Sequence, residues 1–430
     1  MIVRFSVENF RSFKNKVIFD FVSNSHIPQK KEHKVKFGRL GVVKNLGIFG
    51  ANASGKTTII SAIKEMRNFI VRGRIDYNLA FKGRDNKPTV FAIIFESDKR
   101  FFQYSYSLKF NKTIGLVEVV DESLYELFLN GKAKEIYSLA NGLPDQNNAD
   151  LNAFVKGYKN TFGTLFLNYI VAPERNVSNL SILDIFRLVY DYFLKKIFVV
   201  VHQNELMFSI SEENVKTIKE KLHEYDTGIE NVDFVNLNEL EKKTLSDDKF
   251  VRNNIILPLM SSSNGGSFYY SNDNDIFMFK KGEKALEIKK LLFKHTNIKD
   301  LFSFKEESEG TKIVFCLIAT LLCQKNGERT VLIDEIERSS HPSVVKQAIL
   351  DFQRCNAESN AQLVFSTHLA SLMDSVLQRD EIYFVHKDDY GVSHINSLQQ
   401  YKTRNRREQI SEKYLEGRYG SIPKIGVNVN

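Results

Sequence analysis

The sequence predicts an α/β protein whose core is built in two lobes, with a mostly helical insertion between them. Short apolar strands bounded by turn residues recur in both halves of the chain, and helical patterns follow several of them. The apolar strand at 46–49 leads directly into a glycine-containing turn at 50–57, and a helical pattern then runs from Thr58 to about Val71. A buried strand, a tight turn and a helix in direct succession are typical of parallel α/β sheets.

Four segments are predicted along the chain. Residues 1–165 form the first lobe, 166–300 the mostly helical insertion, 301–395 the second lobe and 396–430 a basic C-terminal tail. In the first lobe, strands are predicted at 2–7, 16–21, 89–96, 102–110 and 116–121. In the insertion, helices are predicted at 180–200, 211–224 and about 283–293, with a strand at 231–237. In the second lobe, helices are predicted at 311–323 and 342–355, and buried strands at 330–333, 362–366 and 381–386.

The composition excludes several classes of protein. The chain has 430 residues, of which 43% are hydrophobic and 26% charged, so a disordered or fibrous protein is not expected. No run of eighteen apolar residues occurs, and the first residues lack the apolar core of a secretion signal. Three cysteines, Cys316, Cys323 and Cys355, are too few for a disulfide framework, and their spacing fits no zinc site. We therefore expect a cytoplasmic protein without a membrane span.

The charge is unevenly distributed. The formal net charge is +8, with 60 basic and 52 acidic residues. One cluster of cations lies near the N-terminus, at Lys30, Lys31, Lys34, Lys36, Arg39 and Lys44. A second cluster lies in the tail, at Lys402, Arg404, Arg406, Arg407, Lys413, Arg418 and Lys424. These basic patches favour a nucleic-acid partner through phosphate neutralisation, and a lysine-rich solvated surface is the alternative.

Residues 50–57 fit the phosphate-binding pattern G-x-x-x-x-G-K-[ST] in full. The glycines allow the backbone to curl so that its N–H groups face phosphates at the positive end of a helix. Lys56 would reach the β- and γ-phosphates of a nucleotide, and the hydroxyl of Thr57 would hold Mg²⁺. The residues predicted to bind the nucleotide in this stretch are Gly50, Ala51, Asn52, Ala53, Ser54, Gly55, Lys56, Thr57 and Thr58.

Two buried strands of the second lobe end in residues that could act on phosphates. The strand at 330–333 ends in Asp334 and Glu335. Asp334 is placed to support Mg²⁺ through its water shell, and Glu335 to orient and deprotonate the attacking water. A strand that simply ends in solvated charges is the alternative. The strand at 362–366 leads to His368, which could contact a γ-phosphate and report its presence.

A further anion site is predicted where the helix at 311–323 begins. Ser308 and Gly310 lie at its N-terminus, in the stretch Ser-Glu-Gly-Thr-Lys. A serine and a glycine at this position form a helix cap and leave backbone N–H groups free for an anion. The stretch lies about twenty residues before the strand that ends in Asp334, and this spacing makes it informative.

The order of these elements resembles that of ABC-type ATPases, in the branch that includes OLD-like and SMC-like enzymes. Residues 334–342, Asp-Glu-Ile-Glu-Arg-Ser-Ser-His-Pro, resemble an element of AAA-labelled ATPases encoded in bacterial phage-defence operons. Residues 5–13 are similar to the N-terminal strand and turn of that group. Residues 413–423 resemble the tail of abortive-infection ATPases of the AbiL/RloA type, and the PARIS defence ATPase is a more distant comparison.

The resemblance covers both lobes and the tail but not residues 165–300. It implies an ABC-type P-loop ATPase head that uses ATP and Mg²⁺. It also implies a homodimer or higher homo-oligomer in which each P-loop faces Ser308–Gly310 of the other copy. The expected role is a sensor or scaffold in phage defence that controls a separately encoded nuclease or toxin. The glutamine that contacts Mg²⁺ in ABC enzymes has only a weak counterpart here, Gln103.

The chain shows no nuclease motif of its own. OLD nucleases carry a Toprim domain after the ATPase, whereas only about sixty residues follow His368. The triplet Asp273-Asn274-Asp275 has the letters of a D-x-D metal pair but lies in an asparagine-rich stretch, where a solvated turn is expected. Two other functions stay open: an SMC-like ATPase of DNA repair or chromosome handling that acts on DNA directly, and a nucleotide-gated binding module with little turnover. Glu335 argues against the latter.

The tail combines its cations with aromatic and apolar groups. These are Tyr401, Tyr414, Leu415, Tyr419, Ile422 and Pro423. A site that only neutralises phosphates does not need aromatic rings, whereas a docking surface would bury them. We therefore expect residues 414–423 to pack on the core or on a partner protein, which leaves the cations at 402–407 for any nucleic-acid contact. The alternative is a solvated tail that binds DNA electrostatically.

Overall fold

The computed structural model divides the chain into two compact units. The first comprises residues 1–201, 326–336 and 356–430, and the second comprises residues 202–325 and 337–355. The residues that the structure describes are 1–27, 30–73, 75–140, 143–144, 151–158, 163–172, 181–200, 212–261, 267–272, 275–282, 285–322, 328–401 and 409–422. The fold is mixed α/β, as the sequence predicts.

The first unit contains an antiparallel sheet of seven strands. Its strands, in spatial order, are β10 (Leu143–Pro144), β9 (Ala133–Ala140), β8 (Leu116–Leu127), β7 (Arg100–Asn111), β6 (Thr89–Ser97), β1 (Ile2–Glu8) and β2 (Val17–Asp20). In β7, alternate residues such as Phe102, Tyr104 and Tyr106 are buried, because successive side chains of a strand point to opposite faces. The sheet therefore covers the core with one face.

The second sheet of this unit has six strands, and five of them run parallel. In spatial order they are β11 (Ile197–Val200), β17 (Thr330–Ile333), β18 (Gln362–Thr367), β5 (Asn45–Phe49), β19 (Ile382–Lys387) and β20 (Ser393–Ser397). Only the pairing of β19 with β20 is antiparallel. Every residue of β5, β17 and β18 is buried, which is typical of parallel strands covered on both faces.

Helix α1 (Lys56–Arg72) joins the two sheets in one hydrophobic core. Its buried face includes Ile59, Ile63 and Phe69, at the spacing of one helix face. The Gln362 side chain also links the sheets, since it hydrogen-bonds both the N–H and the C=O of Ile2 at 2.6 and 2.9 Å. The remaining elements of the unit are β3 (Lys34–Phe37), β4 (Leu40–Val43), α2 (Asn152–Gly157), α3 (Phe166–Val171), α4 (Ser181–Asp191), α11 (Leu372–Ser375) and α12 (Ile410–Leu415).

The second unit combines an antiparallel sheet with helices. The sheet contains β12 (Ile229–Asn236), β15 (Leu286–His295), β14 (Ile276–Lys281) and β13 (Ser267–Ser271) in spatial order, and β16 (Leu301–Ser303) also pairs with β15. The helices are α5 (Glu212–Glu224), α6 (Glu239–Asp247), α7 (Lys249–Val251), α8 (Leu257–Ser261), α9 (Glu309–Leu322) and α10 (Pro342–Cys355). Helix α9 contacts both α5 and α10, and its residues from Ile313 onward are buried.

The described part of residues 166–300 combines helices with strands, and two of the helices predicted there are wrong in whole or in part. The helix expected at about 283–293 is strand β15, and the last part of the helix expected at 180–200 is strand β11. In β15 the buried residues Ile288 and Leu291 have the spacing of a helix face, so periodicity alone predicts the wrong element. Pairing with strands on both sides decides the structure instead. The boundaries predicted at 165, 300 and 395 stay predictions.

The N-terminal basic stretch is not a continuous exposed patch, contrary to what its sequence predicts. The Lys34 ammonium lies 2.8 Å from the Asp380 carboxylate, and both side chains are fully buried. The Lys44 ammonium donates to the carbonyls of Asn356 and Ala357 at 2.9 and 2.6 Å, and burial lowers its pKa to about 8. These two cations therefore satisfy interior partners rather than phosphates.

The C-terminal segment, defined here as residues 409–422, packs on the first unit. Tyr414 and Tyr419 are buried, and the ring of Tyr419 stacks on that of Phe384 with 4.6 Å between the centroids. The expectation that this part of the tail packs on the core is therefore confirmed for Tyr414 and Tyr419, whereas Leu415 is exposed. Pro423 and the cations at 402–407 lie outside the described residues.

Within the ranges given above, no helix combines the length and the apolar character that a membrane crossing requires.

A buried carboxylate makes the stability of the first unit depend on pH. Glu122 accepts hydrogen bonds from the Tyr104 hydroxyl at 2.8 Å and from the backbone N–H groups of Phe166 and Leu167 at 2.6 and 3.1 Å. Burial raises its pKa to about 7, although these three hydrogen bonds oppose the rise. The folded state therefore holds a proton that the unfolded state releases near its ordinary pKa.

We predict that Glu122→Gln flattens the dependence of stability on pH. In the wild type, the stabilisation from protonated Glu122 is complete below about pH 4.5 and is lost as the pH rises through 7, an effect of roughly 3 kcal/mol. Denaturant unfolding at pH 5 and pH 8 measures it. Glu118→Gln, at an exposed position of the same strand, is the control. An equal change between the two pH values in wild type and Glu122→Gln would contradict the prediction.

Candidate functional site

Three groups of predicted site residues meet at one edge of the parallel sheet. Strand β18 lies between β17 and β5, with Phe365 opposite Ile333 and Thr367 opposite Phe49. The three strands run in the same direction, so their carboxyl ends lie at the same edge. Residues 50–58 follow β5 at this edge, Asp334 and Glu335 follow β17, and His368 follows β18. In open α/β sheets, ligands bind outside this edge.

The loop at 50–57 has glycine at the two positions that the phosphate-binding pattern requires, and neither position has room for a side chain. A Cβ atom added to Gly50 would lie 2.2 Å from the carbonyl oxygen of Val385. A Cβ atom added to Gly55 would lie 2.6 Å from the hydroxyl of Ser393, and Gly55 also has a φ of 119°. Both glycines therefore permit a close approach of neighbouring chain, and Gly55 permits the turn into α1.

The Lys56 side chain folds back over the loop. It is buried, and its ammonium donates to the carbonyls of Gly50 at 2.8 Å and Ala51 at 3.0 Å. Thr57, the next residue, is exposed at the first turn of the 17-residue helix α1. A cation and a helix N-terminus at one turn can together hold a phosphate chain.

A group of hydroxyls supports this loop, and sequence patterns hardly indicate it. The Ser393 hydroxyl lies 2.6 Å from the carbonyl oxygen of Ser54 and 2.9 Å from the hydroxyl of Ser12, which in turn lies 3.2 Å from that of Thr58. The hydroxyl of Ser54 is buried and has no hydrogen-bond partner among the described residues. Ser12 lies in the N-terminal turn that resembles the ATPase group, whereas nothing in the sequence marks Ser393.

A serine of the neighbouring strand hydrogen-bonds to both acidic residues after β17. The Ser366 hydroxyl donates to Asp334 Oδ1 at 2.5 Å and accepts from the backbone N–H of Glu335 at 2.8 Å. Glu335 has a positive φ of 49°, and its side chain is exposed at the sheet edge. Ser366 thus fixes both acidic residues, a role that its place in the Ser-Thr-His stretch did not reveal.

His368 and Gln103 differ in their placement. His368 is exposed directly after β18, where the hydroxyl of Thr367 accepts from the backbone N–H of Leu369 and begins the turn toward α11. Gln103 lies within β7, paired with Ile94 and Tyr125 in the antiparallel sheet. The structure therefore brings His368, but not Gln103, to the carboxyl edge of the parallel sheet.

In the second unit, Ser308 and Gly310 lie at the N-terminus of α9. The Ser308 hydroxyl accepts from the backbone N–H of Thr311 at 3.1 Å, as a helix cap does. The residue before it, Glu307, is buried and pairs with His295 at 2.8 Å, which fixes the chain where it enters the helix.

A cavity of about 630 Å³ opens beside this helix end. It is lined by residues that precede or begin α9 and α10, and by the turn after α5. Near the two helix N-termini, the cavity is lined by one glycine and five residues with polar side chains. These are Gly310, Thr311, Ser339, Ser340, His341 and Ser343. Two helix N-termini that meet one cavity can bind an anion there.

The oxygen donors at the sheet edge could hold Mg²⁺ only if a bound ligand supplied further oxygen atoms. Thr57 and Asp334 offer a hydroxyl and a carboxylate, which are the hard oxygen donors that Mg²⁺ prefers. Among the described residues, no group of three or more His, Cys, Asp or Glu side chains is arranged to hold a metal ion. Asp273 and Asn274 of the D-x-D triplet lie outside the described residues, and Asp275 pairs with Lys290 at 3.0 Å.

One protein-family model matches part of the second half of the chain. Residues 212–374 match the family model described as "AAA domain, putative AbiEii toxin, Type IV TA system". The matched stretch includes Ser308, Gly310, Asp334, Glu335 and His368, and residues 50–58 precede it. No curated protein matches the chain. This part of the chain is therefore similar to P-loop ATPase domains of a family whose description refers to toxin–antitoxin systems.

Solved structures of SMC head domains are similar to the chain over most of its length. The SMC head bound to the C-winged helix domain of ScpA shares 15% identity at a TM-score of 0.43, covering 93% of this chain and 98% of that chain. The SMC head domain from Thermotoga maritima shares 13% identity at a TM-score of 0.36, covering 92% and 98%. The SMC head with an extended coiled coil, bound to the C-terminal domain of ScpA from Pyrococcus furiosus, shares 16% identity at a TM-score of 0.36, covering 97% and 99%.

We predict that Ser366→Ala impairs ATP hydrolysis more than ATP binding. The change removes one hydrogen bond to the Asp334 carboxylate and one from the Glu335 backbone, and hydrogen bonds to charged groups contribute roughly 1.5–3 kcal/mol. We expect the turnover rate to fall about tenfold or more, with a much smaller change in the dissociation constant for ATP.

Ser138→Ala is the matched control for this variant. Its hydroxyl also donates to a carboxylate, that of Glu135 at 3.2 Å, but on the antiparallel sheet. Turnover and ATP affinity are both measured on each purified variant. Wild-type turnover in Ser366→Ala would show that the two hydrogen bonds do not position the acidic residues.

Proposed function

We propose that the chain is a Mg²⁺-dependent ATPase with an ABC-type P-loop head, acting as a homodimer in bacterial anti-phage defence. One observation carries the proposal: the loop at 50–58, the pair Asp334 and Glu335, and His368 all lie at the carboxyl edge of adjacent parallel strands. A phosphate-binding turn, acidic residues and a histidine at one edge are what nucleotide hydrolysis requires.

Each residue at this edge has a defined part in the proposed reaction. The Lys56 ammonium, now held by two loop carbonyls, would turn to the β- and γ-phosphates of ATP, while backbone N–H groups at 51–58 bind the phosphate oxygens. Thr57 and Asp334 would hold Mg²⁺, which neutralises phosphate charge. Glu335 would take the proton from the attacking water, and His368 would contact the γ-phosphate.

In the proposed dimer, the second unit of one copy contacts the ATP bound to the other copy. Ser308 and Gly310 present a helix N-terminus beside a cavity of about 630 Å³, and this arrangement suits the terminal phosphate of an ATP bound to another copy. ATP would then be enclosed between the P-loop of one copy and this helix end of the other. Binding closes the dimer and hydrolysis opens it.

The defence role is supported by sequence features rather than by the site. The family model at 212–374 is described in terms of toxin–antitoxin systems, and residues 334–342 and 413–423 resemble ATPases of phage-defence operons. In keeping with that resemblance, we propose that a separate nuclease or toxin delivers the output and that the ATP-dependent dimer controls it.

We predict that Lys56→Ala abolishes ATP binding. Loss of the only lysine in the loop removes the cation that faces the phosphates, and removal of one member of a close charge pair costs roughly 2–5 kcal/mol. Affinity for ATP should fall by at least about 30-fold, as measured by titration with a fluorescent ATP analogue. In cells that express the chain with its operon, the same change should remove protection in a plaque assay.

Lys64→Ala is the control, since Lys64 lies on α1 two turns beyond Lys56. It should retain both ATP binding and protection. Near-normal ATP affinity in Lys56→Ala would refute the phosphate site. Loss of ATP binding with full protection would instead refute the defence role and keep the ATPase.

We predict that Glu335→Gln accumulates as an ATP-bound dimer. The amide keeps the size of the side chain but cannot accept a proton from water, and general base catalysis contributes roughly 100-fold or more to rate. Light scattering coupled to size exclusion should show a dimer in ATP and Mg²⁺ and a monomer without them. Glu328→Gln, a partly exposed position that precedes the same strand, should hydrolyse ATP at the wild-type rate. A monomeric Glu335→Gln with bound ATP would exclude the proposed dimer.

A further inference from the structure

The C-terminal segment reaches the first residue of the phosphate-binding loop. The ring of Tyr414, in α12, packs against Phe49 with 6.3 Å between the centroids and lies parallel to Phe384 at 5.6 Å. Phe49 is the last residue of β5, so Tyr414 contacts the residue at which the strand becomes the loop. Only 7% of Tyr414 is exposed, while its neighbour Leu415 is 66% exposed.

The hydroxyl of Tyr414 lies near the start of the loop. Burial raises the pKa of this hydroxyl, and the nearby backbone of Gly50 opposes the rise. The hydroxyl also donates to the carbonyl of Ser421 at 3.3 Å. Gly50 also approaches Val385 so closely that an added Cβ would lie 2.2 Å from the carbonyl oxygen. Gly50 is therefore close to both β19 and the C-terminal segment.

The other end of α12 is tied to the chain that follows His368. The carboxylate of Asp374, in α11, accepts from the backbone N–H groups of Ile410 and Ser411 at 2.9 Å each. Asp374 lies six residues after His368. Hydrogen bonds from backbone N–H groups to a carboxylate are about twice as strong as neutral ones. One short helix thus joins the segment after His368 to the start of the loop.

We propose that the C-terminal segment is a positioning element for the nucleotide site, with Tyr414 holding Gly50 and Asp374 holding the segment after His368. The inference rests on the proposed function, because it concerns the same nucleotide site. It adds the C-terminal segment to the two sheets that position this site. Tyr414 and Asp374 contact no nucleotide in this scheme. They act through the loop and through the histidine segment, and they make ATP binding depend on a part of the chain more than 350 residues beyond the loop.

The test uses full-length protein with Tyr414→Phe and Asp374→Asn. Tyr414→Phe removes one hydroxyl and keeps the ring that packs on Phe49 and Phe384. We expect the melting temperature to stay near that of the wild type, while the dissociation constant for ATP rises about three- to tenfold. In nucleotide-free protein, hydrogen exchange at residues 50–53 should become faster. Asp374→Asn should lower kcat more than it raises KM, because it loosens the segment that follows His368.

Matched variants of exposed residues serve as controls. Tyr390→Phe changes a tyrosine that is 89% exposed, and Asp184→Asn changes a carboxylate that is 76% exposed. Both should match the wild type in every measurement. If Tyr414→Phe leaves exchange at residues 50–53 and ATP affinity unchanged, the segment only stabilises the fold and the proposal fails. If the wild type binds no ATP, the proposed function fails, and the exchange measurement still decides whether Tyr414 holds the loop.

Discussion

The chemistry proposed for this chain depends on the parallel pairing of β17, β18 and β5. These strands come from residues 330–333, 362–367 and 45–49, and nothing local to any of them would place their ends together. Parallel pairing does so, because it points every carboxyl end to the same edge. The buried apolar residues of the strands fix the pairing by excluding water from both faces of the sheet.

At that edge the backbone adopts unusual conformations that its hydrogen bonds maintain. Ala53 and Glu335 both have positive φ values, 58° and 49°, which cost a residue other than glycine about 1 kcal/mol or more. Ser366 offsets this cost at Glu335 by accepting from its N–H. Strained backbone of this kind concentrates at functional sites, where surrounding contacts determine a geometry that the residue alone would not choose.

The elements that the sequence predicts well are those with a strong local pattern. The turn at 50–57, the helix after it, and the strands before Asp334 and His368 lie where they were expected, because glycine placement and buried apolar runs suffice to mark them.

The elements that the sequence predicts poorly depend on residues that are far away along the chain. Strand β15 has the apolar spacing of a helix, and pairing with β12 and β14 decides its conformation. Lys34 and Lys44 look like surface cations until their interior partners, Asp380 and the carbonyls at 356–357, are known. Ser393 could not be identified at all, since a lone serine at the start of a strand has no distinguishing pattern.

The order in which the strands of the parallel sheet occur along the chain has a consequence for biosynthesis. Strand β5 is complete at residue 49, but its two neighbours, β18 and β19, begin at residues 362 and 382. At a synthesis rate of roughly 5–20 residues per second, β5 waits on the order of 15–60 s for its first neighbour. During that interval the backbone N–H and C=O groups along both edges of β5 lack their partner strands in the nascent chain. Successful folding therefore requires that β5 be shielded from other chains until β18 and β19 have been synthesised.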